Sequence, residues 1–209
     1  MFGEIDGKSA LDLCAAPGGK TAQLAVRGAE VTALELSESR LARLQSNLER
    51  LQLKANCIHA DMMQWEPGET FDLVLLDAPC SSTGTIRRHP DVQWTKSPEM
   101  VAELAQLQYD MVIRATQFVK PGGTLIFSNC SLDREEGEDI FAKIVGSDLA
   151  LQPDPIEPVE CFGLNEIINR QGAIRTLPSH LQNLDGSVED PAMTGLDGFF
   201  CARFTRIEK

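Results

Sequence analysis

The segment from Ser9 to Thr21 constrains the fold of this chain more than any other stretch. It reads Ser-Ala-Leu-Asp-Leu-Cys-Ala-Ala-Pro-Gly-Gly-Lys-Thr, and a helical apolar pattern follows from Ala22. An apolar run, a Pro-Gly-Gly turn and a helix start are typical of a strand, a tight turn and a helix. In an open α/β sheet, the crevice beyond the carboxyl end of the first strand binds the ligand. The glycines let backbone amides approach that ligand closely.

Two phosphate-binding patterns resemble this turn without fitting it. Gly19-Lys20-Thr21 matches the end of a P-loop, yet that motif requires glycine where Cys14 stands. The Gly-x-Gly-x-x-Gly of dinucleotide-binding folds is not present either. A purely structural turn has no need of the lysine, so the segment favours a nucleotide-like ligand bound without either motif.

Strand-like and helix-like patterns alternate along the rest of the chain. Leucines at helical spacing predict a helix over 37–52. Ser97 and Pro98 predict the start of a long helix with Leu107 on its buried face, and Pro121-Gly122-Gly123 is expected to end that helix. Five apolar runs after Thr21 predict strands, at 31–35, 55–58, 71–77, 124–128 and 199–204.

The C-terminal part of the chain carries weaker signals. Asp133 is expected to cap a helix over 134–145. Prolines and glycines between 146 and 195 predict loops around two short strands, at 149–152 and 173–177. Taken together, the repeated strand–helix units predict an α/β fold with a mainly parallel sheet and helices on both faces.

Composition sets limits on the class of protein. A chain of 209 residues with 43% hydrophobic and 24% charged residues fits one globular domain. No apolar run approaches the ~20 residues that span a bilayer, so we expect a soluble cytoplasmic protein without a membrane partner. The net charge of −12 argues against a broad nucleic-acid-binding face, so any nucleic-acid contact must be local.

Acidic residues follow three of the predicted strands. Glu35 ends the second strand, Asp61 follows the third and Asp77 ends the fourth. One such acid alone is more simply a solvated residue or a helix cap. Three of them at consecutive strand ends favour a ligand site, in which Glu35 accepts hydrogen bonds from ribose hydroxyls and Asp61 accepts one from an adenine amino group.

The six cysteines divide into two groups. Cys80 and Cys130 each follow a strand end and precede a serine, and neighbouring parallel strands bring them to one edge. Two thiols at a ligand crevice indicate nucleophilic chemistry. The chain has no Cys-x-x-Cys and no Cys/His cluster, so neither a metal site nor a disulfide framework is expected. The remaining cysteines are expected to be core residues, and they are Cys14, Cys57, Cys161 and Cys201.

Four motifs of the chain resemble the Sun-type RNA cytosine-C5 methyltransferases, in particular the branch that acts on small-subunit ribosomal RNA. They are Leu11–Thr21, Asp77–Ser81, Arg87–Asp91 and Asn129–Ser131. The resemblance implies a Rossmann-like, seven-stranded S-adenosylmethionine-dependent methyltransferase fold with an antiparallel C-terminal strand. It implies a single catalytic domain over 1–209 that lacks the upstream RNA-binding region of the family and binds RNA weakly alone.

The resemblance also assigns a cofactor site for S-adenosylmethionine. Glu35 would hold the ribose, Asp61 the adenine end, and Asp77 both the cofactor and the target base, with Arg40 completing the site. The loop that would surround the cofactor consists of Cys14, Ala15, Ala16, Pro17, Gly18, Gly19 and Lys20.

Catalysis by the same resemblance would involve Cys130, Cys80, Asp77 and Lys20. Cys130 matches the nucleophile that adds to carbon 6 of cytosine, although Asn129 replaces the more usual threonine before it. Cys80 matches the cysteine that assists product release, and a protonated Asp77 would donate a proton near ring nitrogen 3. A DNA-type enzyme would use Cys80 for the attack instead.

The RNA-contacting residues are expected in one basic turn. Arg87, Arg88 and His89 form that turn, and Trp94 is equally compatible with base stacking and with a core position. The expected substrate is protein-free 16S ribosomal RNA, acted on by a monomer. Transfer RNA as substrate, a non-catalytic RNA-assembly module that binds S-adenosylmethionine, and a P-loop hydrolase are the alternatives.

Overall fold

The structure is a computed structural model that describes residues 2–180 and 195–208. Within these ranges eight strands form one sheet. The strands are β1 (Ser9–Leu13), β2 (Glu30–Glu35), β3 (Asn56–His59), β4 (Phe71–Asp77), β5 (Val119–Asn129), β6 (Leu151–Pro153), β7 (Ile174–Thr176) and β8 (Phe199–Arg206).

The order of the strands creates a crevice at the centre of the sheet. Seven strands follow one another as β3-β2-β1-β4-β5-β8-β6, and β7 pairs with β8 beside this path. β1 to β5 run parallel, whereas β8 is antiparallel to β5. The predicted parallel sheet with an antiparallel last strand is therefore confirmed, and β7 is an eighth, three-residue strand. The chain order reverses between β1 and β4, where open α/β sheets bind their ligands.

Five α-helices accompany the sheet within residues 2–180 and 195–208. As predicted, the longest begins at Pro98, and Ser97 Oγ accepts a hydrogen bond from the backbone amide of Met100 (3.3 Å). None of the helices in the described part of the chain is both long and apolar enough to cross a membrane. The helices are α1 (Gly19–Val26), α2 (Glu38–Arg50), α3 (Val92–Thr95), α4 (Pro98–Phe118) and α5 (Glu138–Val145). Short 3-10 turns lie at Thr83–Thr85, Arg134–Glu136, Pro158–Cys161 and Asn165–Ile167.

Alternation along the central strands sends side chains to both faces of the sheet. Leu11 and Leu13 of β1 belong to the core that includes the buried faces of α4 and α5. Ala10 of the same strand packs with Leu24 of α1 on the opposite face, and Ala33 packs with α2. Helices thus cover both faces, which leaves the strand ends open for a ligand.

The end of α4 differs from the sequence prediction. The helix ends at Phe118, and Pro121-Gly122-Gly123 lies inside β5 instead of in a turn. β5 begins at Val119, which pairs with Phe71 at the start of β4. Pairing with β4 therefore extends the strand toward the helix beyond the apolar run that marks it in the sequence.

The helix predicted over 134–145 is interrupted. A 3-10 turn and α5 are separated at Gly137, and the side chain of Asp133 makes no capping hydrogen bond. The Asp133 carboxylate instead accepts a hydrogen bond from Thr83 Oγ1 (2.7 Å), fifty residues earlier in the chain. The capping prediction is wrong because the Asp133 carboxylate binds this hydroxyl, whose position next to Asp133 cannot be inferred from the local sequence.

The C-terminal region follows its prediction where it is described. β6 and β7 overlap the short strands predicted at 149–152 and 173–177, and both pair with β8. The part of the predicted loop region at 181–194 lies outside the described residues.

Candidate active site

The loop between β1 and α1 is a compact turn at the carboxyl edge of the sheet. Gly18 has a φ of 104°, and a Cβ there would lie 2.5 Å from a leucine side chain of α2, so the turn requires glycine. The carbonyl of Ala16 accepts a hydrogen bond from Arg40 (2.7 Å), and that of Pro17 accepts one from Asn47 (2.9 Å). Two donors on α2 therefore hold the predicted cofactor loop in place.

A cavity of about 520 Å³ opens beside this loop. Its walls come from the carboxyl ends of the parallel strands and from α4. The predicted site residues that line it are Cys14, Ala16, Glu35, Arg40, Asp61, Asp77, Cys80 and Cys130. The predicted site residues outside its lining are Ala15, Pro17, Gly18, Gly19, Lys20, Arg87, Arg88 and His89.

Glu35 is fixed at the end of β2, where it is only 3% exposed. Its Oε2 accepts a hydrogen bond from the backbone amide of Ala16 (3.2 Å), and its Oε1 accepts one from Ser37 (3.0 Å). The guanidinium of Arg40 lies 3.7 Å from Oε2. The carboxylate is thus presented to the cavity in one orientation, with lone pairs left to accept further hydrogen bonds.

Asp61 occupies the corresponding position after β3. Its Oδ1 accepts a hydrogen bond from the backbone amide of Met63 (2.9 Å), and its Oδ2 accepts one from Gln64 (3.1 Å). The carboxylate therefore orders its own turn, as the alternative of a capping residue predicts, and it also lines the cavity.

One side of the cavity is apolar. Leu36, Met62, Met63, Leu107 and Met111 line it. Leu107, expected on the buried face of α4, is 41% exposed. The helical pattern fails for Leu107 because α4 turns this part of its surface toward the cavity instead of the core. Apolar side chains of this kind can pack against a flat aromatic group.

Lys20 and Asp77 form an ion pair at the edge of this cavity. Lys20 Nζ lies 2.6 Å from Asp77 Oδ2, and Ser128 Oγ donates a hydrogen bond to Asp77 Oδ1 (2.8 Å). Asp77 and Ser128 are register partners at the ends of β4 and β5. The sheet therefore positions the carboxylate from both sides.

A smaller cavity of about 270 Å³ lies on the other side of Lys20. Ser128 and Phe199 line it, and Lys20 Nζ lies 5.3 Å from the centre of the Phe199 ring. Sequence reasoning placed Phe199 in the last strand and gave it no functional role. Its position next to the lysine follows only from the antiparallel placement of β8 beside β5.

The two thiols singled out by the sequence meet at the wall of the large cavity. Cys80 Sγ and Cys130 Sγ lie 3.4 Å apart, as the strand-end argument predicts. Ser82 Oγ lies 3.5 Å from Cys130 Sγ and 3.9 Å from Cys80 Sγ. Both cysteines are half-buried.

The shared hydrogen bond separates the acidities of the two thiols. The Cys80 thiol, and after it the Ser82 hydroxyl, stabilises the thiolate of Cys130 and lowers its pKa despite the opposing effect of burial. The same bond, together with burial, raises the pKa of Cys80. Because the thiolate is the nucleophilic form of cysteine, the lowered pKa favours Cys130 over Cys80 as an attacking group.

The other cysteines lack this activation. Burial is the largest cause that raises the pKa of Cys14 to about 12, and it raises that of Cys201 equally. Cys161 and Cys201 are buried, in agreement with the expected core role. Cys14 and Cys57 are half-buried, and Cys14 forms part of the cavity wall.

Gly84 and Gly198 link the segments that carry Cys80 and Cys130 to the start of β8 through backbone hydrogen bonds. The amide of Gly84 donates to the carbonyl of Cys130 (2.9 Å), and the amide of Gly198 donates to the carbonyl of Gly84 (2.7 Å). A Cβ at Gly84 would lie 2.0 Å from the Gly198 carbonyl oxygen and 2.7 Å from that of Cys130. The backbones therefore touch, and a side chain at either glycine would separate them.

The basic turn predicted to contact RNA is exposed, but its arginines are paired. Arg88 lies 2.6 Å and Arg87 3.5 Å from the carboxylate of Asp197. His89 is exposed nearby. Trp94 is 83% exposed, which excludes the core position that the sequence left open.

Asp12 is a buried acid that sequence reasoning did not assign. It is 1% exposed in β1 beneath the cofactor loop, and its Oδ2 accepts a hydrogen bond from Thr21 (2.6 Å). Its Oδ1 has no hydrogen-bond partner among the described residues. Burial raises the pKa of Asp12 to about 7.

A second group that the sequence did not reveal lies behind the thiols. It consists of buried polar side chains that hydrogen-bond to one another, and no spacing pattern in the sequence links residues so far apart in the chain. Its members are Ser81, Gln108, Asn129, Ser131 and Glu136. Across the described residues, no group of three or more His, Cys, Asp or Glu side chains is arranged to hold a metal ion.

A family model described as 16S rRNA methyltransferase RsmB/F matches residues 4–205. The ribosomal RNA small subunit methyltransferase B of Vibrio cholerae is 44% identical over 168 residues, which are 74% of this chain and 39% of that protein. The chain thus spans about two fifths of the length of this relative.

Solved structures share the fold. The structure described as "Crystal Structure of PH0851" is 28% identical, with a TM-score of 0.80 over 96% of this chain and 43% of that one. NSun6 from Pyrococcus horikoshii with SFG is 23% identical, with a TM-score of 0.76 over 97% of this chain and 48% of that one. At the latter identity the likeness concerns the fold alone.

Proposed function

The chain belongs to the 16S rRNA methyltransferase RsmB/F family, and on that premise we propose that it methylates carbon 5 of a cytosine in RNA through a covalent bond to Cys130. S-adenosylmethionine is the cofactor of this family. The observation that carries the proposal is the 3.4 Å separation of the Cys80 and Cys130 sulfurs at the cavity that Glu35 and Asp61 also line.

The residues of the large cavity fit S-adenosylmethionine, which supplies an electrophilic methyl group when bound. Glu35 is a nearly buried carboxylate with acceptor capacity left, which suits the two hydroxyls of a ribose. Asp61 suits an adenine amino group, and the apolar wall beside it suits the ring. The loop around Ala16, held by Arg40, offers the turn at which the rest of the cofactor binds.

Cys130 performs the first chemical task in this proposal. Carbon 5 of cytosine is a poor nucleophile, and addition of the Cys130 thiolate to carbon 6 makes it an enamine carbon. Charge develops on ring nitrogen 3 during the addition. We assign delivery of a proton there to the ammonium group of Lys20, which the Asp77 carboxylate holds in place at 2.6 Å.

Cys80 performs the last task. Water accepts the proton from carbon 5, the electrons of that bond restore the ring double bond, and the bond to Cys130 breaks so that its sulfur leaves as a thiolate. The proton on ring nitrogen 3 returns to Lys20. Cys80 is the group beside that sulfur, and we assign it to this release. The hydrogen bond between the two thiols then forms again and restores the starting state.

RNA must present an unstacked base to this site, because the thiols lie in a wall and not on a ridge. The Phe199 ring beside Lys20 offers a surface on which such a base can stack. The exposed turn of Arg87 and Arg88 would bind RNA phosphates once these phosphates replace Asp197 as the partners of the two arginines. We propose protein-free 16S ribosomal RNA as the substrate and 1–209 as one monomeric catalytic domain acting in the cytoplasm.

The experiment that tests the proposal is transfer of labelled methyl groups to protein-free 16S ribosomal RNA and to transfer RNA, followed by mapping of the modified nucleotide. Cys130→Ser is expected to abolish labelling, and Cys80→Ser to accumulate a covalent protein–RNA adduct. Cys57→Ser is the matched control, since Cys57 is half-buried on β3 and does not line the cavity.

Other results would select another function. Label in transfer RNA alone would show that transfer RNA, and not 16S ribosomal RNA, is the substrate. Adduct formation lost in Cys80→Ser but kept in Cys130→Ser would exchange the two roles, as in a DNA-type enzyme. Binding of S-adenosylmethionine with no labelled RNA in any sample would favour a non-catalytic RNA-assembly module.

A further inference from the structure

Glu136 lies behind the two thiols, at the end of the 3-10 turn Arg134–Glu136. It is 0% exposed, although glutamate is rarely buried without a partner. Both its side chain and its backbone carbonyl make hydrogen bonds to residues adjacent to the thiols.

The Glu136 carboxylate binds the loop that carries Cys80. Its Oε1 accepts a hydrogen bond from the backbone amide of Ser81 (2.9 Å). Its Oε2 accepts a short hydrogen bond from the hydroxyl of the same serine. Since Ser81 directly follows Cys80, these two bonds fix the backbone from which the Cys80 thiol projects.

The Glu136 backbone holds the strand end that carries Cys130. Its carbonyl accepts a hydrogen bond from Asn129 Nδ2 (2.6 Å). Asn129 Oδ1 in turn accepts one from the backbone amide of Ser131 (3.1 Å). The residues before and after Cys130 are therefore hydrogen-bonded to each other. One residue is therefore bonded to both thiol-bearing segments.

Gln108 of α4 closes the arrangement. Its Nε2 donates to Glu136 Oε1 (2.7 Å), and its Oε1 accepts from Asn129 Nδ2 (3.0 Å). Gln108 is 0% exposed as well. A buried network in which every member is satisfied is rigid, because any displacement leaves a polar group without a partner.

We propose that Glu136 is a positioning residue that sets the distance between the Cys80 and Cys130 sulfurs and so keeps Cys80 as a hydrogen-bond donor to Cys130. Its meaning for catalysis rests on the proposed function, but its effect on the thiols does not. Glu136 forms hydrogen bonds to Ser81, Gln108 and Asn129, so we expect it to act through the backbones next to the thiols. Charged and titratable groups that act on Cys130 directly include Cys80, Asp77 and Arg88.

Alkylation of the free thiols tests this proposal without RNA or cofactor. The rate at which iodoacetamide modifies Cys130 is measured by peptide mass at a series of pH values. The pH at which this rate reaches half of its maximum, here called the midpoint, reports the pKa of the Cys130 thiol. In the unchanged chain we expect a midpoint below the ~8.5 of an ordinary cysteine. Glu136→Ala is expected to raise it by about one pH unit or more, because Cys80 no longer stays in donor position.

Two variants separate position from mere stability. Glu136→Gln keeps an acceptor for Ser81 and Gln108, and the Ser81 hydroxyl can turn to accept, so we expect the low midpoint to be retained. Glu135→Ala is the matched control, since Glu135 is the exposed neighbour of the same type. Its midpoint is expected to equal that of the unchanged chain.

A second route covers the case in which Glu136→Ala does not fold. Gln108→Met keeps the volume, removes a donor to Glu136 and an acceptor for Asn129, and is expected to raise the midpoint as well. An unchanged midpoint in the folded variants, or an equal rise in Glu135→Ala or Glu136→Gln, would overturn the proposal. Absence of RNA methylation in the unchanged chain would contradict the proposed function and leave this result standing.

Discussion

Cys80 Sγ and Cys130 Sγ lie 3.4 Å apart, and one of these thiols is made more acidic at the expense of the other. Two sulfurs so placed need a small movement to reach the ~2.05 Å of a disulfide bond. The pair therefore combines a reactive thiolate with a neighbour that can trap its oxidised form.

Dilute hydrogen peroxide is expected to link Cys80 to Cys130. The Cys130 thiolate attacks the peroxide and becomes a sulfenic acid, and the Cys80 thiol then displaces water to form the disulfide. Intact mass should fall by two hydrogen atoms, and dithiothreitol should restore it. Cys57→Ser serves as control and should oxidise in the same way.

Cys80→Ser should behave differently, because no neighbour then traps the sulfenic acid. Its Cys130 is expected to proceed to the sulfinic acid, which dithiothreitol does not reverse. Direct sulfinic acid formation in the unchanged chain, with both thiols unlinked, would contradict the expected geometry.

Lys20→Met is expected to reduce methyl transfer by about a hundredfold, a typical contribution of a positioned proton donor. The change removes the cation that lies 2.6 Å from Asp77 at the carboxyl end of β4. Lys120→Met is the matched control, because Lys120 pairs with Asp72 (3.0 Å) at the opposite end of the same strand. Single-turnover rates should separate the two variants, and equal losses would argue against a role for Lys20 in the chemistry.

Glu35→Gln is expected to weaken S-adenosylmethionine binding about tenfold or more, because a hydrogen bond to a charged group contributes ~1.5–3 kcal/mol. The side-chain amide nitrogen of the new glutamine would also replace one of the two acceptor oxygens. It would then face a backbone N–H donor, that of Ala16 or of Ser37. Glu30→Gln changes the exposed first residue of β2 and is expected to leave affinity unchanged. Isothermal titration calorimetry measures both, and equal affinities for the two variants would remove Glu35 from the cofactor site.

Asp12→Asn is expected to stabilise the fold in a pH-dependent way. The pKa of Asp12 is raised to about 7 in the folded chain by burial, against ~3.9 when unfolded. The folded state therefore binds the proton more tightly, and its stability falls as pH rises from about 4 to 7.

The variant removes this loss. At pH 8 its free energy of unfolding should exceed that of the unchanged chain by on the order of a few kcal/mol, since one pKa unit corresponds to ~1.4 kcal/mol. The difference should vanish below about pH 4, where both forms are neutral. Denaturant unfolding at pH 4, 6 and 8 measures it, with the exposed Asp91→Asn as control. A constant difference at all three values would show that the charge of Asp12 is not its cause.

Much of the site could be predicted because it follows from strand ends. Glu35 and Asp77 end apolar runs and Asp61 follows one, and parallel strands bring their carboxyl ends to one edge. The same argument places Cys80 beside Cys130. These predictions need only local patterns and one rule of topology.

Features that depend on distant partners could not be predicted. Asp197 lies 109 positions from Arg88, and no local pattern reveals that this carboxylate pairs with the arginines of the basic turn. Gln108 resembles a surface residue of a long helix until Glu136 is placed against it. The three hydrogen bonds of the Asn129 side chain become visible only in the folded chain.

The contact between Gly84 and Gly198 has a consequence for how such a sequence can change over time. A methyl group at Gly198 would lie 2.8 Å from the Gly84 Cα, so neither position tolerates a mutation on its own. A substitution at either site, 114 positions apart, therefore requires the backbone to shift. Mutations that move the start of the last strand would thus also move the loop beside the thiols, so we expect these two segments to change together during evolution.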